Sequence, residues 1–202
     1  MKFYTISICF FVCLALHGQE NFTKKDRFFN GKNFKNWVEP NNNIWWTINK
    51  EGHLVAQSDP DQKGSTLCST QKFRDFVIKL DFKMGQGTVD SGVFIRGENP
   101  QNPQIQIGIS GSLKRDMTAS PYVPKQGYPV EALKNHPDLL QQKAWNTLEV
   151  RAEKNRYQTW LNGVKVLDYQ LENANLEGPT GLQLHPKREM SISFRNIYLK
   201  EL

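Results

Sequence analysis

The sequence predicts an all-β protein in which two antiparallel sheets pack face to face as a jelly-roll sandwich. Three observations carry that expectation. Phe76, Ile78, Leu80, Phe82 and Met84 alternate with Val77, Lys79, Asp81 and Lys83, a period of two that suits a half-buried strand. Asn162-Gly163 stands between two strand-like runs and is a strong hairpin signal, because both turn residues must take positive φ. No stretch keeps a helical period over more than about ten residues. Many short strands separated by turns favour a sandwich.

The elements follow in order. The strand from Phe76 is expected to break at Gly85-Gln86-Gly87. Ser91 to Arg96 and Gln104 to Ile109 read as the next two strands. Leu148, Val150 and Ala152 alternate with Glu149, Arg151 and Glu153, and Lys154-Asn155 turns the chain into Tyr157 to Leu161. Val164 to Tyr169 returns after the Asn162-Gly163 turn. Gly181 to His185 is a short strand. Ile192 and Phe194 share one phase while Ile197 and Leu199 fall on the other, which a bulge near Arg195-Asn196 would reconcile. Lys114 to Leu140, with four prolines and two tyrosines, reads as a long inserted loop, and Pro129 to Gln142 within it has room for a short helix.

At 202 residues the chain has the length of one domain, and 38% hydrophobic with 11% aromatic residues excludes wholesale disorder. Met1-Lys2, the apolar run Phe3 to Leu16 and the small residue Gly18 form an export signal, with cleavage expected near Gly18 or Gln19. The expected division is therefore a signal peptide over 1–19, a short linker over 20–27 and a domain over 28–202. The protein is then exported, to the periplasm or beyond the cell. No small residue precedes Cys13, which argues against a lipid anchor. Loss of the signal removes Cys9 and Cys13, leaving Cys68 as a small buried hydrophobe with no disulfide partner. It also removes Lys2 and takes the net charge from +6 to +5. The remaining cations are scattered, so no nucleic-acid surface is expected, and no further run is long enough to span a membrane.

Phosphate loops, dinucleotide fingerprints, His-Glu-x-x-His and paired cysteines are absent from the sequence, so neither a cofactor nor a metal is implied. Ser91-Gly92 and Ser110-Gly111 read as turn residues. What remains is a set of polar residues on expected strands. Gln104 and Gln106 are two apart, as are Gln183 and His185, so each pair shares a face, and Asp90 and Arg96 bracket a strand. Polar residues on one strand face usually meet water; the alternative is a concave surface for a neutral polyhydroxylated ligand. Tyr122, Tyr128 and the tryptophans offer flat faces for sugar rings. Trp160 is better read as core, and Trp45 and Trp46 must point to opposite faces if extended.

Several strings in register resemble the 3-keto-disaccharide hydrolase domain family. They are Phe28 to Trp37 (FFNGKNFKNW), Ser91 to Gly97 (SGVFIRG), Trp145-Asn146 with Leu161-Asn162-Gly163, Gly178 to His185 (GPTGLQLH) and Phe194 to Ile197 (FRNI). The resemblance implies a concanavalin A-like jelly roll in an exported protein acting on glycosides oxidised to a ketone at C3. It implies a base that takes the C2 proton, a group that stabilises the enolate, elimination at C1 and then addition of water. His185 suits the base and Arg96 the stabiliser, with Asp90 in reserve. Gln104, Gln106, Gln183, Asp90 and Tyr128 are the expected substrate-binding residues, and Arg96, Gln106, Gln183 and His185 are expected to converge. The family commonly has a glutamate where this chain has Gln104, and an aspartate where Ile109-Ser110 stands. A glutamine is no base, so a non-catalytic carbohydrate-binding module on the same fold is the alternative.

Overall fold

The computed structural model describes residues 20–97 and 102–202. The expected signal peptide and its cut lie outside the described residues. In chain order the early strands are β1 (Trp37–Val38), β2 (Trp46–Ile48), β3 (Leu54–Gln57), β4 (Ser65–Ser69) and β5 (Phe76–Gly87). Then come β6 (Asp90–Phe94), β7 (Gln104–Gly108), β8 (Pro121–Tyr122) and β9 (Asn146–Glu153). The chain ends with β10 (Arg156–Leu161), β11 (Val164–Gln170), β12 (Gly181–Leu184) and β13 (Met190–Glu201). They form two antiparallel sheets, one in the order β1-β4-β12-β6-β7-β8 and the other in the order β11-β10-β9-β5-β13-β3-β2. This is the expected jelly-roll sandwich.

Alternation builds the core between the sheets. Leu67, Val93, Ile105, Ile107, Leu182 and Leu184 face inward from the first sheet; Leu54, Ile78, Leu80, Phe82, Leu148, Val150, Ile192 and Phe194 meet them from the second. Trp46 is buried in this core, with its Nε1 donating to Ser65 Oγ at 2.9 Å, while its neighbour Trp45 is only half-buried. The opposite-face expectation for this pair therefore holds.

Both special turns take the expected form. Asn162 and Gly163 have φ of 47° and 87°, so the β10–β11 hairpin closes on two left-handed residues. The β13–β5 register slips between Arg195 and Tyr198, with Asn196 at φ 49°, and Phe194 and Ile197 are both fully buried. One extra residue there turns the second half of β13 back toward the core.

Four expectations need correction. β5 does not stop at Gly85 but continues to Gly87, because Gly85 and Gly87 lie against the backbone of β13 and neighbouring Glu189, where a side chain has no room. Pro129 to Gln142 holds turns; the only helical piece among the described residues is a single 3-10 turn at Lys24–Asp26, capped by Thr23. Trp160 is 4% exposed, yet it lies outside the central core, on the outer face of its sheet beneath Lys165. Cys68 faces away from core residue Leu67 and is half-buried beside Gly181.

The segment expected as a linker, 20–27, is tied to the outer face of the seven-stranded sheet. Glu20 pairs with Arg151 at 2.7 Å and Lys200 at 2.9 Å, Phe22 packs on Tyr198, and Arg27 bridges to Tyr198.

Candidate functional site

The outer face of the six-stranded sheet carries an unusual row. Inward residues of β6, β7 and β12 are apolar apart from Ser91, whose hydroxyl donates to the Gln183 carbonyl, and the alternate positions include Asp90, Gly92, Gln104, Gln106 and Gln183. The register sets Gln183 and Gln106 on either side of Gly92. Gln104 Nε2 donates to Gln183 Oε1 at 2.7 Å, crossing Gly92 diagonally; a Cβ there would stand 2.2 Å from that nitrogen. Gln106 Nε2 donates to Asp90 Oδ1 at 2.8 Å. Asp90, Gln104 and Gln106 are all at least nine-tenths buried, so this floor is ordered by its own hydrogen bonds.

Walls rise on both sides. The long loop after β7 adds β8 beside Gln104, and the Tyr122 and Tyr128 rings lie 5.2 Å apart. On the other side, the chain leaving β12 brings His185, Pro186, Lys187 and Arg188 to the rim. Arg188 Nε stands 3.4 Å from Asp90 Oδ2. Ser110, Ser112 and Lys114 line one end, and the cleft encloses about 510 Å³. That volume falls in the range of small-ligand sites.

His185 Nδ1 lies 2.7 Å from the carbonyl oxygen of Pro186. A carbonyl only accepts, so Nδ1 carries the hydrogen and the lone pair of the neutral ring sits on Nε2. Burial pushes the Tyr128 hydroxyl up to about 12, helped by the charge of Asp90 and opposed by a hydrogen bond with Ser110. It therefore stays protonated and able to donate. The arrangement combines an imidazole base, a cation, a phenolic donor and a floor of amides, with no paired carboxylates of the kind an ordinary glycosidase uses.

Asp90, Gln104, Gln106, Gln183, His185 and Tyr128 thus line one cleft. Arg96 does not join them, which corrects the expected convergence. It is fully buried and binds the Arg74 carbonyl at 2.6 Å, the Lys154 carbonyl at 2.6 Å, the Tyr157 hydroxyl at 3.3 Å and Asp75 at 3.1 Å. The strand ends at Phe94, and Arg96 has φ 63°. The period of two therefore stops before residue 96, and the guanidinium turns to the end of the sandwich. The cleft draws its cations from Lys114, Lys187 and Arg188, and the one that reaches its floor, at Asp90, is Arg188. The sequence shows it only as one of several scattered basic residues, with no periodicity to mark it.

The model of the 3-keto-alpha-glucoside-1,2-lyase-like domain matches residues 24–200. The chain belongs to this domain family. The match begins within the 20–27 segment and ends in β13. A protein of Parabacteroides distasonis ATCC 8503, provisionally named a glycosyl hydrolase, is similar in structure, with a TM-score of 0.64 at 18% identity over 90% of this chain and 98% of its own. The carbohydrate-binding module CBM66 of Bacillus subtilis gives 0.54 at 17% identity over 82% and 95%. A Bacillus subtilis protein of unknown function with a galectin-like fold gives 0.54 at 12% over 87% and 94%. These likenesses share the jelly roll with the lyase-like domain. No curated protein matches the sequence.

Proposed function

We propose that the protein is an exported enzyme that cleaves glycosides carrying a ketone at C3, and that the cleft above Asp90, Gln104, Gln106 and Gln183 is its active site. The observation that carries this reading is the tautomer of His185. Its Nδ1 is committed to the Pro186 carbonyl, so Nε2 offers a lone pair at the rim of a cleft that also holds a cation and a protonated tyrosine.

The chemistry follows from the ketone. A C3 carbonyl acidifies the C2 proton, and His185 Nε2 removes it. The electron pair moves to the C3 oxygen as an enolate, whose charge Arg188 offsets. Collapse of the enolate expels the C1 substituent, and Tyr128 gives its proton to the departing oxygen. Water then adds across C1 and C2, with the hydroxyl at C1 and the proton at C2 returned by His185. Tyr128 regains its proton from solvent. The amide floor holds sugar hydroxyls through the groups that the Gln104–Gln183 and Gln106–Asp90 bonds leave unused.

One observation favours a second reading, a carbohydrate-binding module. Gln104 is neutral and bonded to Gln183, so the floor itself supplies no base beyond Asp90. Incubation of the purified protein with a 3-keto-glucoside and with its parent glycoside separates the two. Release of the aglycone from the keto form alone supports the enzyme. Binding of both with turnover of neither supports the module and overturns the enzyme.

A further inference from the structure

Glu149 lies in β9 on the outer face of the seven-stranded sheet, yet it is only 1% exposed. Lys79 of β5 and Trp160 of β10 flank it in register, and the chain at Glu20 lies over it. Its Oε1 accepts the backbone N–H of Glu20 at 2.9 Å. Its Oε2 is buried without a hydrogen-bond partner. Burial pushes this carboxyl above its ordinary range; the Glu20 N–H, Lys79 and Arg151 oppose that, and the Glu20 carboxylate adds to it. The cations nearby are engaged elsewhere. Arg151 pairs with Glu20 and Glu153, Lys200 pairs with Glu20, and the Lys79 ammonium sits 5.5 Å from the centre of the Phe22 ring. A buried carboxylate with one oxygen unsatisfied is costly and calls for a partner.

A chain cut after Gly18, the small residue ahead of the fold, has Gln19 as its first residue and Glu20 as its second. Covalent geometry holds the nitrogens of adjacent residues within about 3.7 Å of each other. With the Glu20 nitrogen 2.9 Å from Oε1, a terminal amino group one residue earlier is tethered close to the same carboxylate. We propose that Glu149 is the receptor for the amino terminus made by cleavage between Gly18 and Gln19, its Oε2 taking the new ammonium while Oε1 keeps the Glu20 N–H. Hydrolysis puts the water's hydroxyl on the Gly18 carbonyl carbon and its hydrogen on the Gln19 nitrogen, which protonates at neutral pH. In an uncut chain the Gln19 nitrogen is an uncharged amide with a single hydrogen. Export processing would then complete an ion pair on the face opposite the cleft, independently of the reaction proposed there.

The sign of the pH dependence follows. An α-amino group ordinarily titrates at about 8, and pairing raises that value. The stability it contributes is complete below about 8 and is lost as pH rises through the raised value. The test compares two chains, one beginning at a free Gln19, with its mass checked to exclude cyclisation of the glutamine, and one beginning at His17. Each is made with Glu149 and with Glu149→Gln. In the Gln19 chain the substitution should lower the melting temperature by about 5 °C or more. In the His17 chain it should leave the melt unchanged or raise it, because there it removes an unpaired buried charge. Equal shifts in both chains would overturn the proposal. If Glu149→Gln does not fold, the unsubstituted chains decide: the Gln19 chain should melt above the His17 chain at pH 7 and lose that lead by about pH 10. No lead at pH 7, or one that persists at high pH, refutes the pairing.

Discussion

Gln104 and Gln183 come from strands that are not neighbours, and they meet over Gly92, the residue of β6 that lies between them. The 2.7 Å bond exists because that position has no side chain. Gly92 is not among the residues with positive φ, so alanine meets no backbone strain there.

Gly92→Ala should therefore act on the ligand rather than on the fold. The new methyl overlaps the Gln104 side chain from Cγ to Nε2 and pushes the amide off Gln183. Sugar affinity should fall about tenfold, the worth of one orienting hydrogen bond. The melting temperature should move little. Calorimetric titration beside a thermal melt reads both, and unchanged affinity would detach this floor from binding.

His185→Ala should reduce turnover of a 3-keto-glucoside about 100- to 10,000-fold, with an unchanged melt, if the rim imidazole is the base proposed for the C2 proton. Tyr128→Phe should slow substrates with poor leaving groups more than those with good ones, because an acidic phenol leaves without a donated proton. Equal slowing across a leaving-group series would remove Tyr128 from the protonation step.

Arg96→Ala should unfold rather than inactivate. It strips the donor from two carbonyls, a tyrosine hydroxyl and Asp75 at a fully buried position. The expected loss is about 3 kcal/mol or more, read by denaturant titration. Arg96→Lys should recover only part of it, because an ammonium cannot span partners laid out for a planar fork. A stable Arg96→Ala protein with reduced turnover would restore the role the sequence suggested.

Asp168 predicts a mild acid sensitivity. A hydrogen bond from Arg156, reinforced by Lys165 and Gln158, holds its carboxyl well below the usual range, against the desolvation that raises it. A lowered folded value means that its contribution is present above about 3.9 and fades as pH falls below that. Asp168→Asn should lower the melting temperature modestly at pH 7 and progressively less on acidification. The pair is well exposed, so the effect is small. A shift that does not depend on pH would assign the loss to packing.

The legible parts of this fold are those whose signal is local and long. β5 and β9 show a period of two over Phe76 to Met84 and Leu148 to Glu153, the hairpin shows its dipeptide, and the bulge shows as a change of phase at Asn196. β1 to β4 span two to five residues each, too short for a period to emerge, and they are strands because of their partners. The same logic divides the site. Gln104, Gln106 and Gln183 sit inside strands, where alternation states their face. Arg96 lies just past a strand end, and Arg188 in a loop, where alternation states nothing.

The placement of β13 has a consequence for the order in which the molecule can be made. The last twelve-residue strand lies between β5 and β3, inside the larger sheet and not at its edge. Every earlier strand can exist in a nascent chain, but that sheet stays in two unjoined parts until β13 arrives, its Ser191–Phe194 segment pairing with β3 and β5 at once. The protein therefore cannot complete its fold progressively from the amino terminus. A chain stopped a dozen residues short would lack the middle of its sheet while keeping every residue of its cleft, so the site's residues are all made before the structure can close around them.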